Sequence, residues 1–431
     1  MTTPIERLNR ISEQGLCIGC GMCQSVAGTD QIEVVRTPDG ALRPVPTDRL
    51  TDESVDRVYR TCPGTRLEGL PETLTDAQTK RDLVWGAFQR IAKAHAADPE
   101  IRFKAAAGGV LTALAVFLIE SGEVDFIVHA RMPVGDPELG PSFGVRHVSR
   151  TRDDVLAGAG SRYGPTATLI DIKDQLAKER PFAFIGTPCD IAAIRNLAQV
   201  DDRVDRYCRY MLTPVCGGFM QTPALEKALT GFGLNFDRLT MVRYRGHGCP
   251  GPTRLEQDDG TVLEKTYLDF WADESAWGLP WRCKVCADGI GEAADIAAAD
   301  CWPGGSPTVE QAEDHHADPG SNGVLIRSTR GERLWRAAVA AGAIVEESQH
   351  TARDMDDWQP HQVRRKQAVQ SRYDALSDAG RIVPVTQRLR LKELQASVPA
   401  DVRDSQRHGT AERIRIGKAD EPTPVKRAPR T

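Results

Sequence analysis

Cys17, Cys20 and Cys23, spaced C-x2-C-x2-C, are the first residues in this chain whose type and spacing imply chemistry. Three thiolates at that spacing fit around one face of a cubane iron–sulfur cluster, and Gly19 and Gly21 let backbone amides approach the sulfurs. A ferredoxin run would continue with a cysteine at position 27, where Ala27 stands. Cys62, in Thr61-Cys62-Pro63-Gly64, has the Cys-Pro context and is the expected fourth ligand. A structural zinc site on the same four residues is the alternative.

Cys283 and Cys286 form a second C-x-x-C, which alone reads equally as zinc, a redox dithiol or chance. Cys189, in Gly186-Thr187-Pro188-Cys189, and Cys216, in Val215-Cys216-Gly217-Gly218, each follow an apolar strand, where α/β proteins place functional groups. These four are the expected ligands of a second cubane, with Cys249 and Cys301 competing for positions. Cys208, inside RYCRYML, reads as an inert buried thiol. Eleven cysteines is an odd count, and in a reducing cytosol such spacings favour metal over disulfides.

The elements that must position these thiols read as an α/β fold. Residues 1–78 form a short, turn-rich ferredoxin-like iron–sulfur segment with few apolar residues for a core of its own, so a bound cluster supplies much of its order. Over 79–345 helices alternate with short apolar strands: helix 81–97, helix 110–121, strand 124–130, helix 166–178, strand 182–186, helix 190–197, strand 323–328 and helix 331–341. That alternation implies a mostly parallel sheet with helices. Antiparallel strands are expected over 239–270, with a turn at Asp258-Asp259-Gly260. Residues 346–400 read as a charged helical region interrupted at Pro384, and 401–431 as a flexible tail, with a partner-docking role as the alternative. No internal repeat is present.

The totals exclude several classes. The 431 residues are 40% hydrophobic and 27% charged, ordinary for a soluble globular protein, and the net charge of −5 asks for no nucleic acid. No apolar run approaches the roughly 20 residues that span a bilayer. The N-terminus lacks an apolar signal core, which places the protein in the cytoplasm.

In order along the chain, the C-x2-C-x2-C start, Ala107-Gly108-Gly109, Gly160-Ser161-Arg162-Tyr163, GTPC at 186–189, Cys283-x2-Cys286 with Asp288, and Ala294-Asp295-Ile296 resemble the beta-subunit family of coenzyme F-420 (deazaflavin) hydrogenases and dehydrogenases. That family is similar in turn to 7-hydroxymethyl chlorophyll a reductase and to ferredoxin-dependent divinyl chlorophyllide 8-vinyl reductases. The resemblance covers roughly residues 15–345. The distant Cys62 is similar to the chlorophyll-reductase branch, whereas AAAGGV and GTPC look more like the deazaflavin branch. The resemblance implies FAD, one or two [4Fe-4S] clusters, and electron transfer between an iron–sulfur donor and an organic hydride acceptor.

Given a flavin, small residues opening an apolar helix at Ala107, Gly108, Gly109 and Val110 suit its phosphates. Ser161, Arg162 and Tyr163 combine a flexible loop, a fixed charge and an aromatic that clamp a phosphate or stack on a ring. By the family analogy Thr187 and Pro188 of GTPC, the turn with Ser321 and Asn322, and Arg327 also lie near the flavin. His129, closing a strand, and Asp190, after Cys189, are the candidate proton donors; His315 and His316 read as solvated loop. No G-x-G-x-x-G follows any strand, so a Rossmann NAD site is not indicated. The expected function is a reductase passing electrons from ferredoxin or another redox partner protein, through two [4Fe-4S] clusters and FAD, to a small organic substrate or deazaflavin. An electron-transfer subunit of a larger complex and a zinc-stabilised scaffold or redox sensor are the rivals. Homo-oligomerisation is compatible with each.

Overall fold

The computed structural model describes residues 2–136, 138–271, 273–314 and 317–428, so His315 and His316 lie outside the described residues. Helix α1 (Pro4–Glu13) starts in a capping box, Thr3 Oγ1 accepting from Glu6 N at 3.2 Å and Glu6 Oε2 accepting from Thr3 N at 2.8 Å. The Cys17–Cys23 loop leads into α2 (Met22–Ala27), a hairpin of Ile32–Arg36 with Leu42–Pro46, and α3 (Asp52–Thr61). Leu8, Ile11, Met22, Val55 and Val58 do not form a separate core. They are buried in one cluster with Leu169, Ile191, Ile194 and Trp281 of the α/β body. At about 1.5–3 kcal/mol per buried large aliphatic side chain, that shared core holds the segment to the body.

The body is built on an eight-stranded sheet of β1 (Arg90–Ala96), β2 (Phe126–Arg131), β3 (Val145–Ser149), β4 (Phe182–Ile185), β5 (Cys208–Pro214), β6 (Ile296–Asp300), β7 (Asn322–Ile326) and β8 (Ile344–His350). Their spatial order is β8-β1-β7-β6-β5-β4-β2-β3. Helices α4 (Val110–Glu120) and α5 (Pro188–Ala198) cover opposite faces. The period-2 alternation of strands dictates this. Phe126, Val128, Phe182, Phe184 and Met211 pack with the α5 residues Ile191 and Ile194, whereas Ile127, Ala183 and Leu212 pack with Val110, Leu114 and Leu118 of α4. A separate three-stranded antiparallel sheet, Leu239–Arg243, Thr253–Gln257 and Val262–Lys265, turns at Asp258–Gly260 as expected.

Four expectations need correction. The sheet is mixed: β2, β4, β5 and β6 run parallel, but β3 on one side and β7, β1 and β8 on the other pair antiparallel. Residues 81–97 are not a helix. Lys80–Asp82 and Gly86–Phe88 form a small hairpin, and β1 follows. The alanines of Arg-Ile-Ala-Lys-Ala-His-Ala suggest a helix, yet β1 is paired on both edges, and tertiary pairing overrides propensity. The helix over 166–178 shrinks to Ile172–Leu176, because the preceding residues dock onto the first cysteine loop, Leu169 N donating to Cys20 O at 2.8 Å. The 401–431 tail is mostly ordered. After α6 (Pro360–Asp378) and α7 (Leu391–Ala396), helix α8 (Ala400–Arg415) packs on α6. Gln406 of α8 accepts from Arg372 of α6 at 2.9 Å. No described helix is long and apolar enough to cross a membrane.

Beyond α8 the chain crosses the N-terminal segment. Buried Arg43 donates to both carboxylate oxygens of Glu421 at 2.6 and 2.8 Å, and Thr423 Oγ1 donates to Glu13 at 2.6 Å. Glu421→Leu strands the Arg43 charge in the interior. The expected result is a loss of about 1–3 kcal/mol, read as a lower urea midpoint; an unchanged midpoint would show that this strap contributes no stability.

Candidate functional site

Cys17, Cys20, Cys23 and Cys62 line one small cavity of about 20 Å³, with Pro63 and the apolar Leu8, Ile11 and Val58 around it. The loop geometry depends on Gly21, at φ 89°, where a Cβ would fall 2.6 Å from the Ile170 backbone. Gly64 N donates to Cys62 Sγ at 3.3 Å. Burial, then the Cys17 thiol, pushes the Cys62 thiol up to about 11, and burial holds Cys20 and Cys23 well above the usual thiol range, Cys20 with Asp190 beside it.

The second set is drawn from three separate elements. Cys189 stands in the first turn of α5, Cys216 just past β5, and Cys283 and Cys286 on the short helix Trp281–Lys284 and its exit. Cys216 and Cys286 both raise the Cys189 thiol, and Cys283 and Cys286 both raise that of Cys216, though burial is the largest cause in each case. Burial also pushes Cys216 up to about 12 and Cys283 to about 11. Cys249 and Cys301 sit elsewhere, against the 318–321 turn. Cys301 Sγ donates to Ser321 O at 3.2 Å, and the Cys249 Cβ lies 3.1 Å from where a Cβ on Gly320 would fall. Cys208 is buried at the start of β5, its thiol raised by burial to about 12.

Among the described residues no three His, Cys, Asp or Glu side chains stand in a metal-ready arrangement, and the space between the first four thiols is about that of one water. The donor chemistry nevertheless fits an anionic iron–sulfur cluster. Arg282, 2% exposed, lies between the two sets. It donates to Pro63 O, next to Cys62, at 2.7 Å, while its Nε and Nη1 are buried without a hydrogen-bond partner. Burial opposes its charge, but Cys286, Tyr373, Cys189 and Cys283 around it hold its proton more tightly than usual. Two orphaned guanidinium nitrogens among buried thiols suit a negatively charged group held there.

Both sets open on a cleft of about 1030 Å³, whose wall includes Cys20 of the first and Cys189, Cys216 and Cys283 of the second. Ala107, Gly109 and Val110, at the start of α4, line its floor, with Ala107 held at φ 51°. Gly108 faces away, and a Cβ there would lie 2.8 Å from Ser321 Cα. Asn322 Oδ1 accepts from Val110 N at 3.2 Å, so one amide of that helix start is already engaged. Ser161, Tyr163 and Thr187 line the cleft, with Tyr163 4.7 Å from Trp271. Pro188, Ser321 and Arg327 are not on its wall. Ser321 Oγ donates to Glu347 at 2.5 Å.

Arg162, expected to clamp a phosphate, and Arg327, expected near the flavin, are both oriented by backbone carbonyls inside the protein. The Arg162 guanidinium donates to Val242 O at 2.6 Å, to Phe143 O at 3.1 Å and to Pro141 O. Arg327, fully buried, donates to Trp85 O, Ala87 O and Ile290 O at 2.6–3.1 Å. The proton-donor candidates are similarly engaged. His129 lines the cleft, but its Nε2 is 2.7 Å from Ser149 Oγ, and burial, then His147, lowers it to about 4, so it stays neutral near pH 7. Asp190 lines the cleft and caps α5, accepting from Thr187 N at 3.0 Å and Thr187 Oγ1 at 2.8 Å.

Sequence reasoning missed Arg245. It is 4% exposed, lines the cleft, pairs with Asp300 at 2.8 and 3.0 Å, and lies 5.2 and 5.3 Å from the Tyr267 and Trp302 ring centroids. Only the positions of Asp300 and Trp302 just past an apolar strand hinted at it.

Two family models match this chain, those for the N-terminal and the C-terminal parts of the coenzyme F420 hydrogenase/dehydrogenase beta subunit, over residues 91–172 and 179–351 respectively. The chain is 28% identical over 205 residues to F420-dependent formate dehydrogenase 1 subunit beta of Methanococcus maripaludis, covering 47% of this chain and 50% of that one. It is 23% identical over 351 residues to coenzyme F420-dependent sulfite reductase of Methanocaldococcus jannaschii, covering 77% and 47%. Coenzyme F420 hydrogenase subunit beta of Methanococcus voltae is 32% identical over 298 residues, covering 64% and 88%. The chain thus spans about half the length of the first two relatives. In fold it is similar to a chain of the F420-reducing [NiFe] hydrogenase complex of Methanosarcina barkeri, with a TM-score of 0.52 at 20% identity, covering 69% of this chain and 96% of that one. The first cysteine set and helices α6 to α8 lie outside the family-matched residues.

Proposed function

Since the chain belongs to the coenzyme F420 hydrogenase/dehydrogenase beta-subunit family, we propose that it is an iron–sulfur flavoprotein oxidoreductase carrying electrons between a redox partner protein and a small organic hydride carrier. Its partner is ferredoxin or another subunit, and its carrier a deazaflavin, as the relatives' names suggest, or another organic substrate. The observation that carries this reading is that Cys20, Cys189, Cys216 and Cys283, thiols from both expected sets, lie on the wall of one cleft whose floor is a small-residue helix start. Cys17, Cys20, Cys23 and Cys62 would hold one [4Fe-4S] cluster, and Cys189, Cys216, Cys283 and Cys286 the other. Ala107, Gly109, Val110, Ser161, Tyr163 and Thr187 would line the FAD. Clusters supply single electrons, and a flavin gathers two for delivery as a hydride.

The chain's own residues do the positioning. Asp190 fixes the first turn of α5 and so the place of Cys189. Arg282 supplies a buried positive charge between the two thiol sets, which favours electron-rich groups on both sides. The aromatic wall of Tyr163, Trp271, Tyr267 and Trp302 keeps one side of the cleft apolar. Kinship with the chlorophyll reductases rests on the distance of Cys62 from Cys23 and makes ferredoxin the first donor to try. Service as an electron-transfer subunit of a larger, cytoplasmic complex is the second reading, favoured by the 96% coverage of a chain from a hydrogenase complex.

An anaerobic ultraviolet–visible spectrum of the purified chain, with iron, sulfide and released flavin quantified, tests the proposal. A flavin band with about eight irons is expected. Colourless protein containing zinc, even after anaerobic reconstitution, would leave the scaffold reading in its place.

A further inference from the structure

Resting on that flavoprotein reading, we propose that the lobe of the cleft between the Trp281–Lys284 turn and helices α6 and α8 is the subsite for the acidic groups of the organic substrate, a small molecule carrying phosphates or carboxylates. Lys284, Arg364, Arg365, Arg372 and Arg413 all line this lobe. The only carboxylates on the cleft wall, among the described residues, are Asp190 and Asp300, one capping α5 and the other paired with Arg245. Among the described residues, the other carboxylates of the surrounding elements lie off the cleft wall: Asp378 pairs with Arg407 at 2.6 Å, Glu412 with Arg415 at 2.6 Å and Glu292 with Lys366 and Arg390, Asp374 accepts from Gln370 at 2.9 Å and Gln395 at 2.7 Å, Asp288 accepts from Glu292 N, and Asp401 and Asp404 are the remaining two, on α8. None of the five cations has, among the described residues, an ion-pair partner on this wall.

Their heads are instead oriented by neutral acceptors. Arg365 donates to Cys216 O at 3.0 Å and Gly217 O at 2.5 Å. Arg372 donates to Gln406 Oε1 at 3.1 and 2.9 Å and to Lys284 O, and Arg413 to Gly409 O at 2.7 Å. Carbonyl and amide oxygens fix a guanidinium without cancelling its charge, so the lobe is held positive. The crowding has a cost: burial, then Arg365 and Arg413, brings Arg372 down to about 10. A bound anion offsets such repulsion, and planar guanidinium forks match phosphate and carboxylate oxygens alike. The recess is concave and continuous with the flavin-sized part of the cleft, which suits a small molecule rather than an acidic protein surface. Because α6 and α8 lie outside residues 91–351, this specificity belongs to the part of the chain that the family models do not match.

The test uses the anaerobically purified full chain, the double variant Lys284→Gln/Arg413→Gln, in which both replaced side chains are exposed, and Arg372→Lys, which keeps its charge. Isothermal titration with inorganic pyrophosphate and, separately, with citrate reads binding, while flavin and iron are quantified on the same samples. Wild-type protein is expected to bind at least one anion more weakly as salt rises, and the double variant to bind it roughly tenfold or more weakly, with Arg372→Lys, which keeps the charge but loses the fork, weakened less than the double variant. Preference for pyrophosphate identifies a phosphorylated substrate, and preference for citrate a carboxylated one. Equal binding by wild type and double variant, or no binding to protein with normal flavin and iron, would overturn this inference alone. Release of flavin by pyrophosphate would assign the cations to the cofactor and overturn it too. Protein without flavin would sink the functional reading and the substrate role with it.

Discussion

Cys20→Ser is expected to halve the iron content of the purified chain, from about eight to about four per molecule, and to slow reduction of the flavin by an iron–sulfur donor by more than about 100-fold. The magnitude follows from position. Loss of an outer partner of a metal ligand already costs about 10–100-fold, and Cys20 is both a thiol of the first set and its one thiol on the cleft wall. The same change removes order. The N-terminal segment shares its core with the body, so loss of the proposed cluster would be felt as a loss of stability across that joint interface. Cys208→Ser is the control, since that thiol is buried at the start of β5 away from both sets, and its iron content is expected to stay at the wild-type level. Cys249→Ser and Cys301→Ser are expected to behave like Cys208→Ser, because their sulfurs sit against the 318–321 turn. Full iron in Cys20→Ser, or half the iron in Cys301→Ser, would refute the ligand sets.

What the sequence makes legible here is what is local. C-x2-C-x2-C places three sulfurs within one loop whatever the rest of the chain does, and GTPC at a strand end places Cys189 at a helix start, as found. Helix α4 and strands β2, β4 and β7 are legible because their apolar runs end at glycine, serine or turn residues. The rest depends on partners far away in the chain. Arg162 reads as a phosphate clamp, and Arg327 by family analogy as a flavin neighbour, until the carbonyls that hold them are seen, 19 to 242 residues distant. Arg282 looks like a spacer beside Cys283, and only folding brings it to Pro63, 219 residues away. Strand β1 is rich in alanine and is a strand because both its edges are paired. Helix α8 is polar on nearly every side, which reads as a disordered tail; its hold on α6 comes from polar contacts such as Arg372 to Gln406 and Arg407 to Asp378, for which hydrophobic periodicity gives no sign.

The other large effect is expected at Asp295, whose Ala-Asp-Ile context marks the family without revealing a role. Asp295 is 0% exposed. Its carboxylate accepts from Arg330 at 2.7 and 2.9 Å, Arg195 at 3.2 Å, Ser328 Oγ at 2.6 Å and Met211 N at 2.8 Å. One side chain thus ties β5, the residues after β7 and α5 to the start of β6. Burial alone would raise its pKa, but Arg330, Arg195 and the hydrogen bonds reverse this and hold it at about 2, below the ordinary 3.8. A depressed folded-state pKa contributes stability that is present above about pH 4 and is lost as pH falls toward 2. A shift of this size amounts to about 2 kcal/mol. Asp295→Asn keeps the shape but leaves two buried guanidinium groups without their anion, and is expected to cost about 3–5 kcal/mol at pH 7. The two effects share one origin, so they must converge: the stability gap between wild type and variant, measured by urea unfolding, is expected to narrow as pH is lowered from 5 toward 2. A gap that stays constant with pH, or one below about 1 kcal/mol at pH 7, would mean that the carboxylate does not anchor the sheet. Since β5 runs on to Cys216 and Arg195 shares α5 with Cys189, a loosened junction at Asp295 is also expected to loosen the second thiol set, lowering iron retention in a variant that has lost no ligand.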